Sequence, residues 1–251
     1  MARRLYLKFK SLMPEPLRDM LSFFNQHLFA RWTIRKKLGL WFEVDFRKKC
    51  QTFTPQDWKK HYEACWQHTT NPCINKGDFR RIRDAIGQPC SVLDIGCGTG
   101  QLALSLAQAG FRVTALDLSI NALRLARNHI AQIDVNIPLV ESFAEHLPFP
   151  SSAFDCITCC HTLEHVSDLD RTVAEFKRVA KEKIVILVPK QKYRLYAENY
   201  HTYFFNSSEQ LIDAFKLKQF KCVELDGDRE DSAYPSPMLM YVGTLHKHRS
   251  A

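Results

Sequence analysis

Residues 92–100 read Val-Leu-Asp-Ile-Gly-Cys-Gly-Thr-Gly, an apolar run that ends in three glycines spaced two apart. Val92, Leu93 and Ile95 suit a strand buried on both faces, and the next segment carries Leu102, Leu104 and Leu106 among alanines, as a packed helix does. Gly96, Gly98 and Gly100 allow a sharp turn and a close ligand approach, so that backbone N–H groups at the helix start face an anionic or polar group. A dinucleotide fingerprint needs its third glycine at position 101, which is Gln101. The spacing is therefore G-x-G-x-G, a nucleotide-binding turn of another kind.

Residues 112–117 (RVTALD) form a second strand whose final acid, Asp117, falls at the carboxyl end where open α/β sheets bind ligands. An acid there can accept both hydroxyls of a ribose. It can also serve the helix opened by Ser119, but beside the glycine turn the ligand role is preferred. Apolar residues at 120, 123, 126 and 130 predict an amphipathic helix over 119–133. Strands are expected at 136–141, 154–160 and 183–188, a helix at 169–180, a capping box at Ser207-Ser-Glu-Gln210, and two last strands near 219–225 and 238–244.

Five ordered motifs, VLDIGCGTG (92–100), TALDLS (114–119), AEHLPFPSSAFD (144–155), HTLEHV (161–166) and EFKRVAK (175–181), give the chain a resemblance to the class I S-adenosylmethionine-dependent methyltransferases. The resemblance is especially to the broad group that includes the ubiquinone-biosynthesis methyltransferases and many small-molecule enzymes, and it runs from about residue 92 to 189. The resemblance implies a Rossmann-like α/β three-layer sandwich with a mostly parallel seven-stranded sheet whose last strand is antiparallel. It implies S-adenosylmethionine as cofactor, held by Asp94, Gly96, Cys97, Gly98, Gly100, Asp117, Leu118, Phe143, Ala144 and Glu145. Related proteins often carry an aspartate two residues before the Glu of the Ala-Glu pair, and this chain has Phe143. Adenine recognition then falls to backbone groups around Phe143 and Ala144, to stacking, or to Glu145. The Pro-Gly-Gly turn usual after the next helix is also missing, so residues 180–184 should run directly into a strand.

A chain of 251 residues that is 45% hydrophobic can bury one sizeable core. The expected division is a basic helical extension and cofactor lid over 1–88 and the α/β domain over 89–251. Residues 1–49 hold twelve Lys or Arg against four Asp or Glu, whereas the remainder holds 23 of each. The net charge thus sits entirely in the first fifth. Leu17, Met20, Leu21, Phe24 and Leu28 at helical spacing, followed by Arg31, Trp32, Arg35, Lys36, Lys37, Leu40, Trp41 and Phe42, suit either peripheral contact with an anionic membrane or an accessory helix with its basic side in water. Nucleic acid is a third partner for such a segment. Residues 55–66 read as a helix able to fold over the pocket, with Tyr62 directed either at the cofactor or into packing. No run is apolar enough to span a bilayer, the start lacks a secretory pattern, and the nine scattered cysteines carry no disulfide framework, so a cytoplasmic location is expected.

Transfer of a methyl group from a sulfonium needs alignment above all, and a general base only when the nucleophile keeps its proton. His161 and His165, just past the fourth strand, are the candidate catalytic residues, with a structural role at a helix terminus as the alternative for His165. Glu164 can pair with a basic group or orient the cofactor, and His201 is a further candidate beside a packed aromatic cluster. Cys156 and Cys159, three apart on a strand, point to opposite faces and cannot converge on an ion, so no metal is expected. Asp155-Cys-Ile-Thr does not match a DNA amino-methylation motif, and Pro89-Cys90 precedes the first strand instead of following the fourth; nucleic-acid acceptors are argued against. The expected activity is methyl transfer to an O or C nucleophile of a small molecule, lipid-linked intermediate or saccharide. The alternative is a catalytically silent S-adenosylmethionine-binding partner subunit.

Overall fold

The computed structural model describes residue 14 and residues 30–39, 42–68, 76–226 and 237–245. Residues 17–28, with the apolar spacing noted above, and Leu40 and Trp41 lie outside these. The chain divides into two compact units, the smaller within Met1–Thr52 and Tyr193–Tyr200 and the larger within Phe53–Lys192 and His201–Ala251.

The smaller unit contains α1 (Ala30–Leu38) and α2 (Phe46–Lys49). Tyr200 anchors it: its ring stacks on Phe42 at 4.5 Å, meets Phe46 edge-on at 5.0 Å, and its hydroxyl accepts the Glu43 N–H. The buried Arg47 guanidinium donates to the Asn199 carbonyl (3.1 Å) and to the Asn199 side chain. Trp32 of α1 stays 61% exposed under the Lys36 ammonium.

The larger unit begins with α3 (Pro55–His68) and α4 (Lys76–Ile86) and continues as β1 (Ser91–Ile95), α5 (Gln101–Gln108), β2 (Arg112–Asp117), α6 (Ile120–Ile130), β3 (Leu139–Glu141), β4 (Phe154–Cys160), α7 (Leu169–Val179), β5 (Ala180–Pro189), α8 (Ser208–Phe215), β6 (Gln219–Leu225) and β7 (Met238–Thr244). The seven strands pair in the order β3-β2-β1-β4-β5-β7-β6, all parallel except β7, which runs antiparallel to both neighbours. This is the Rossmann-like sheet expected from the sequence. Alternation along each strand builds two cores. Leu93, Ile95, Ile157, Cys159, Ile184 and Ile186 pack under α7 and α8 through Val173, Phe176, Leu211 and Phe215. Val92, Cys156, Val185 and Leu187 pack on the other face under α4, α5 and α6 through Ile82, Leu102, Leu106 and Ala126. Cys156 and Cys159 therefore fall in opposite cores, as their spacing requires.

Local chemistry explains where the elements stop. Ser119 is the N-cap of α6, its hydroxyl accepting the Ala122 N–H at 3.3 Å, so the helix starts at Ile120. β3 is shorter than expected because Pro138 has no N–H to donate; only its carbonyl joins the sheet, accepting from Ala115 at 2.9 Å. α7 ends at Val179 and β5 begins at Ala180 with no connecting loop. The expected capping box at Ser207 forms only in part. The Ser207 hydroxyl makes no capping bond, and Gln210 reaches one residue further back, its side-chain oxygen accepting the Asn206 N–H at 2.6 Å. Among the described residues no helix is long and apolar enough to cross a membrane.

Candidate active site

The chain leaves β1 in one direction along the sheet and returns to start β4 on its other side, so the carboxyl ends of β1 and β4 bound a crevice at the point where strand order reverses. The glycine turn lies there. Gly96, Gly98 and Gly100 have φ of +70°, +53° and +77°, the left-handed region that glycine enters without strain. Close approach adds a second constraint. A Cβ at Gly96 would lie 2.1 Å from Thr162 Oγ1 in the segment after β4, and one at Gly98 would lie 2.8 Å from the Trp66 ring of α3.

Two buried acids flank the turn. Asp117, at the end of β2, accepts the Gly98 N–H and the Ser119 N–H, each at 2.9 Å and each on a different carboxylate oxygen. Every carboxylate oxygen has a second lone pair, so both retain acceptor capacity. Asp94, in β1, accepts the Thr158 hydroxyl on Oδ1 at 2.9 Å, and its Oδ2 is buried with no hydrogen-bond partner among the described residues. Burial pushes the Asp94 carboxyl up to about 7, with Thr158 opposing and the Asp117 charge adding to the rise. Asp117 rises to about 6 by burial, restrained by the Ser119 and Gly98 N–H groups and raised further by Glu63. Burial also lifts the Cys97 thiol well above its ordinary range, so Cys97 is a neutral packing residue of the turn. Leu118 is half-buried between Asp117 and the α6 cap.

The Ser142 N–H donates to the Asp117 carbonyl at 3.1 Å, which brings Phe143 and Ala144 to the edge of the same crevice, both half-buried. Glu145 turns elsewhere. Its Oε1 accepts the Ser167 N–H and hydroxyl, each at 2.7 Å, and so holds the turn that leads into α7.

Past β4, His161 adopts φ +54° and its N–H donates to Leu187, while residues Leu163–His165 form a 3₁₀ turn. The Glu164 carboxylate is buried among imidazoles: His161 Nδ1 lies 3.8 Å from its Oε1, and its Oε2 has no hydrogen-bond partner among the described residues. Burial pushes the Glu164 carboxyl up, but the His161 hydrogen bond and the charges of His165, His201 and His161 outweigh it and hold the group down at about 2. His165 and His201 meet edge to face, ring centroids 4.7 Å apart.

Helix α3 closes over this end of the sheet through residues that sequence reading largely missed. Glu63 accepts the Ile120 N–H (2.6 Å), the Asn121 N–H (3.1 Å) and the Ser119 hydroxyl (3.0 Å), satisfying the first turn of α6 from another helix. Lys59 pairs with Glu141 of β3. Tyr62 donates its hydroxyl to the His165 carbonyl at 3.1 Å and stacks on Trp58. Tyr62 thus reaches the 3₁₀ turn, a contact its position in an amphipathic helix only hinted at.

Residues 93–188 match the family described as a methyltransferase domain. Over these residues the chain is similar to methyltransferase domains. The matched segment runs from within β1 into β5 and so contains the glycine turn, Asp94, Asp117, His161 and His165, while His201 lies beyond it. The chain is 38% identical over 115 residues to the ubiquinone biosynthesis O-methyltransferase of Pectobacterium atrosepticum, covering 45% of this chain and 47% of that protein. It is 35% identical over 161 residues to the ubiquinone/menaquinone biosynthesis C-methyltransferase of Ralstonia pickettii, covering 62% of each. The chain spans about half the length of the first of these curated relatives. The crystal structure of a SAM-dependent methyltransferase from Aquifex aeolicus superposes with a TM-score of 0.53 at 18% identity, covering 78% of this chain and all of that one, and so shares the methyltransferase fold.

Proposed function

We propose that the chain transfers a methyl group from S-adenosylmethionine to an oxygen or carbon nucleophile of a small molecule, a lipid-linked intermediate or a saccharide, with residues 89–251 as the catalytic domain and residues 1–88 as a basic extension and lid. Asp94 is the observation that carries the reading. A buried carboxylate oxygen without a partner, beside a glycine turn at the switch point of the sheet, suits a ligand that brings its own ammonium and backbone-matched polar groups. The other residues fit the same ligand. Asp117 has lone pairs left for ribose hydroxyls, Gly96 and Gly98 supply close backbone approach, and Phe143 and Ala144 border the adenine side, with Glu145 bracing the turn behind them.

When bound, S-adenosylmethionine supplies an electrophilic methyl carbon: a new bond to the acceptor forms as the C–S bond breaks, and the electron pair stays on sulfur. The protein's share is alignment, exclusion of water by α3, and removal of the acceptor's proton. His161 and His165 follow the carboxyl end of β4 and are the two candidates for proton acceptor. That the relatives are methyltransferases of ubiquinone and menaquinone biosynthesis supports an aromatic or lipid-like substrate. Exposed Trp32 beside Arg31, Arg35, Lys36 and Lys37 supports peripheral contact with an anionic membrane, and with it a cytoplasmic, surface-associated location.

The test is calorimetric titration of the purified chain with S-adenosylmethionine and, separately, with NAD, alongside Asp117→Ala. Micromolar binding of S-adenosylmethionine that is lost in the variant, with no response to NAD, is expected. Absence of binding by the intact protein overturns the reading; binding without turnover on any acceptor class favours a silent cofactor-binding subunit.

A further inference from the structure

The described residues contain one group of three side chains whose donor atoms converge as metal ligands do: Glu164, His165 and His201, with a carboxylate oxygen and two imidazole nitrogens all within 4.8 Å of one another. Their positions in the sequence hide this. Glu164 and His165 are adjacent on the 3₁₀ turn after β4, and His201 follows β5, so no short ligand spacing marks them. The structure assigns these three residues to a divalent transition-metal site at the acceptor end of the crevice.

Three observations support it independently of any activity. Glu164 is 1% exposed and its Oε2 lacks a hydrogen-bond partner among the described residues, a buried anionic oxygen whose full satisfaction calls for a cation. The two chain segments that bring the ligands are tied together by their backbones: the Glu164 carbonyl accepts the N–H groups of Thr202 (2.8 Å) and Tyr203 (3.1 Å), and the Thr202 hydroxyl lies 2.8 Å from the Val166 carbonyl. Tyr62 fixes the His165 backbone from the side of α3. Such outer contacts orient ligands before an ion arrives.

The donor set selects the ion by chemistry. Two imidazoles and one carboxylate suit Zn²⁺, Mn²⁺ or Fe²⁺ over Ca²⁺ or Mg²⁺, which prefer oxygen. Bonds of about 2.1 Å in tetrahedral geometry put donor atoms roughly 3.4 Å apart. The cluster therefore draws in by up to about 1.4 Å, within reach of side-chain rotation, when it closes on an ion. Three protein ligands leave coordination positions open. On the reading proposed above, an acceptor hydroxyl or enol oxygen takes one of them, and its proton becomes easier to remove beside His161.

The experiment uses the full chain after dialysis against a chelator, titrated calorimetrically with Zn²⁺ and with Mn²⁺, and separately with Co²⁺ followed by visible absorption. One equivalent should bind, giving cobalt ligand-field bands without a thiolate charge-transfer band. His201→Ala should weaken binding by about a hundredfold or more, as should Glu164→Gln. Circular dichroism of His201→Ala shows whether the fold survives. Failure of all three ions to bind stoichiometrically, a thiolate charge-transfer band, or undiminished binding in a folded His201→Ala variant overturns the site. S-adenosylmethionine is titrated into the same samples. Cofactor binding without metal binding removes this site and leaves the proposed activity standing, whereas metal binding without cofactor binding does the reverse.

Discussion

Asp94 and Glu164 are both buried carboxylates, 2% and 1% exposed, and each keeps one oxygen without a hydrogen-bond partner among the described residues. Burial raises both. Yet Asp94 stands at about 7 and Glu164 at about 2. The difference lies in the neighbours, because Asp94 faces a second acid, Asp117, while Glu164 is ringed by His161, His165 and His201. One end of the crevice is thus a pair of acids that hold each other's charge down, and the other is a carboxylate set among imidazoles. The same side-chain chemistry has been set to opposite purposes within one site.

Removing each charge separates the two ends most sharply. Glu164→Gln at pH 6 is expected to cost about 3 kcal/mol of folding stability, because a buried partner of the imidazoles is lost. Asp94→Asn is expected to do the opposite and stabilise the ligand-free protein by about 1–3 kcal/mol at pH 8, since an ionised buried acid is replaced by a neutral amide. Urea unfolding of both variants measures the pair, and equal signs would break the contrast. The pH dependence follows from the same shifts. Asp94, raised, contributes stability that is present below its unfolded value near 4 and lost as pH rises through about 7. Glu164, depressed, contributes stability that is present above its unfolded value near 4.5 and lost as pH falls through about 2.

An ammonium beside Asp94 favours the ionised acid, so affinity for S-adenosylmethionine should rise about tenfold between pH 5 and 8 and then level off, with proton release on binding at pH 6. Calorimetry in buffers of different ionisation enthalpy reads that release; a flat profile would mean that Asp94 and Asp117 are not contacts. The smallest effect is expected at Glu63, which holds the first turn of α6 from α3. Glu63→Gln keeps the shape but weakens the acceptor for three donors of α6, lowering stability by about 1 kcal/mol and raising the KM for the cofactor a few-fold with kcat nearly unchanged. Steady-state kinetics would check this, and a fall in kcat alone would place Glu63 in the chemistry instead of the closure.

The two ends also differ in how far the sequence discloses them. The glycine turn and the β1–α5 unit are written in consecutive residues, because turn geometry, strand burial and helix start are local properties. Asp117 was legible for the same reason, as the final residue of a strand whose apolar pattern announces it. The histidine end is assembled from residues near 62, 161–165 and 201, and nothing local joins Glu164 to His201; the link is a pair of backbone hydrogen bonds through Thr202 and Tyr203. Glu63 was hidden too, since a helix cap supplied by another helix has no sequence spacing. Glu145 shows how a motif position can acquire a second task, with its Oε1 engaged by Ser167. Pro138 shortens β3 through a missing donor, an effect visible in the residue but not in the apolar pattern around it.

Trp66 gives the glycine turn an optical consequence. Its ring lies so near Gly98 that even one methyl group there would crowd it. Any molecule settling on the turn therefore changes the polarity and the quenching around an indole, and the chain reports occupancy of its own pocket by intrinsic fluorescence. Replacing the other three tryptophans by phenylalanine would leave a single lamp directly above the cradle.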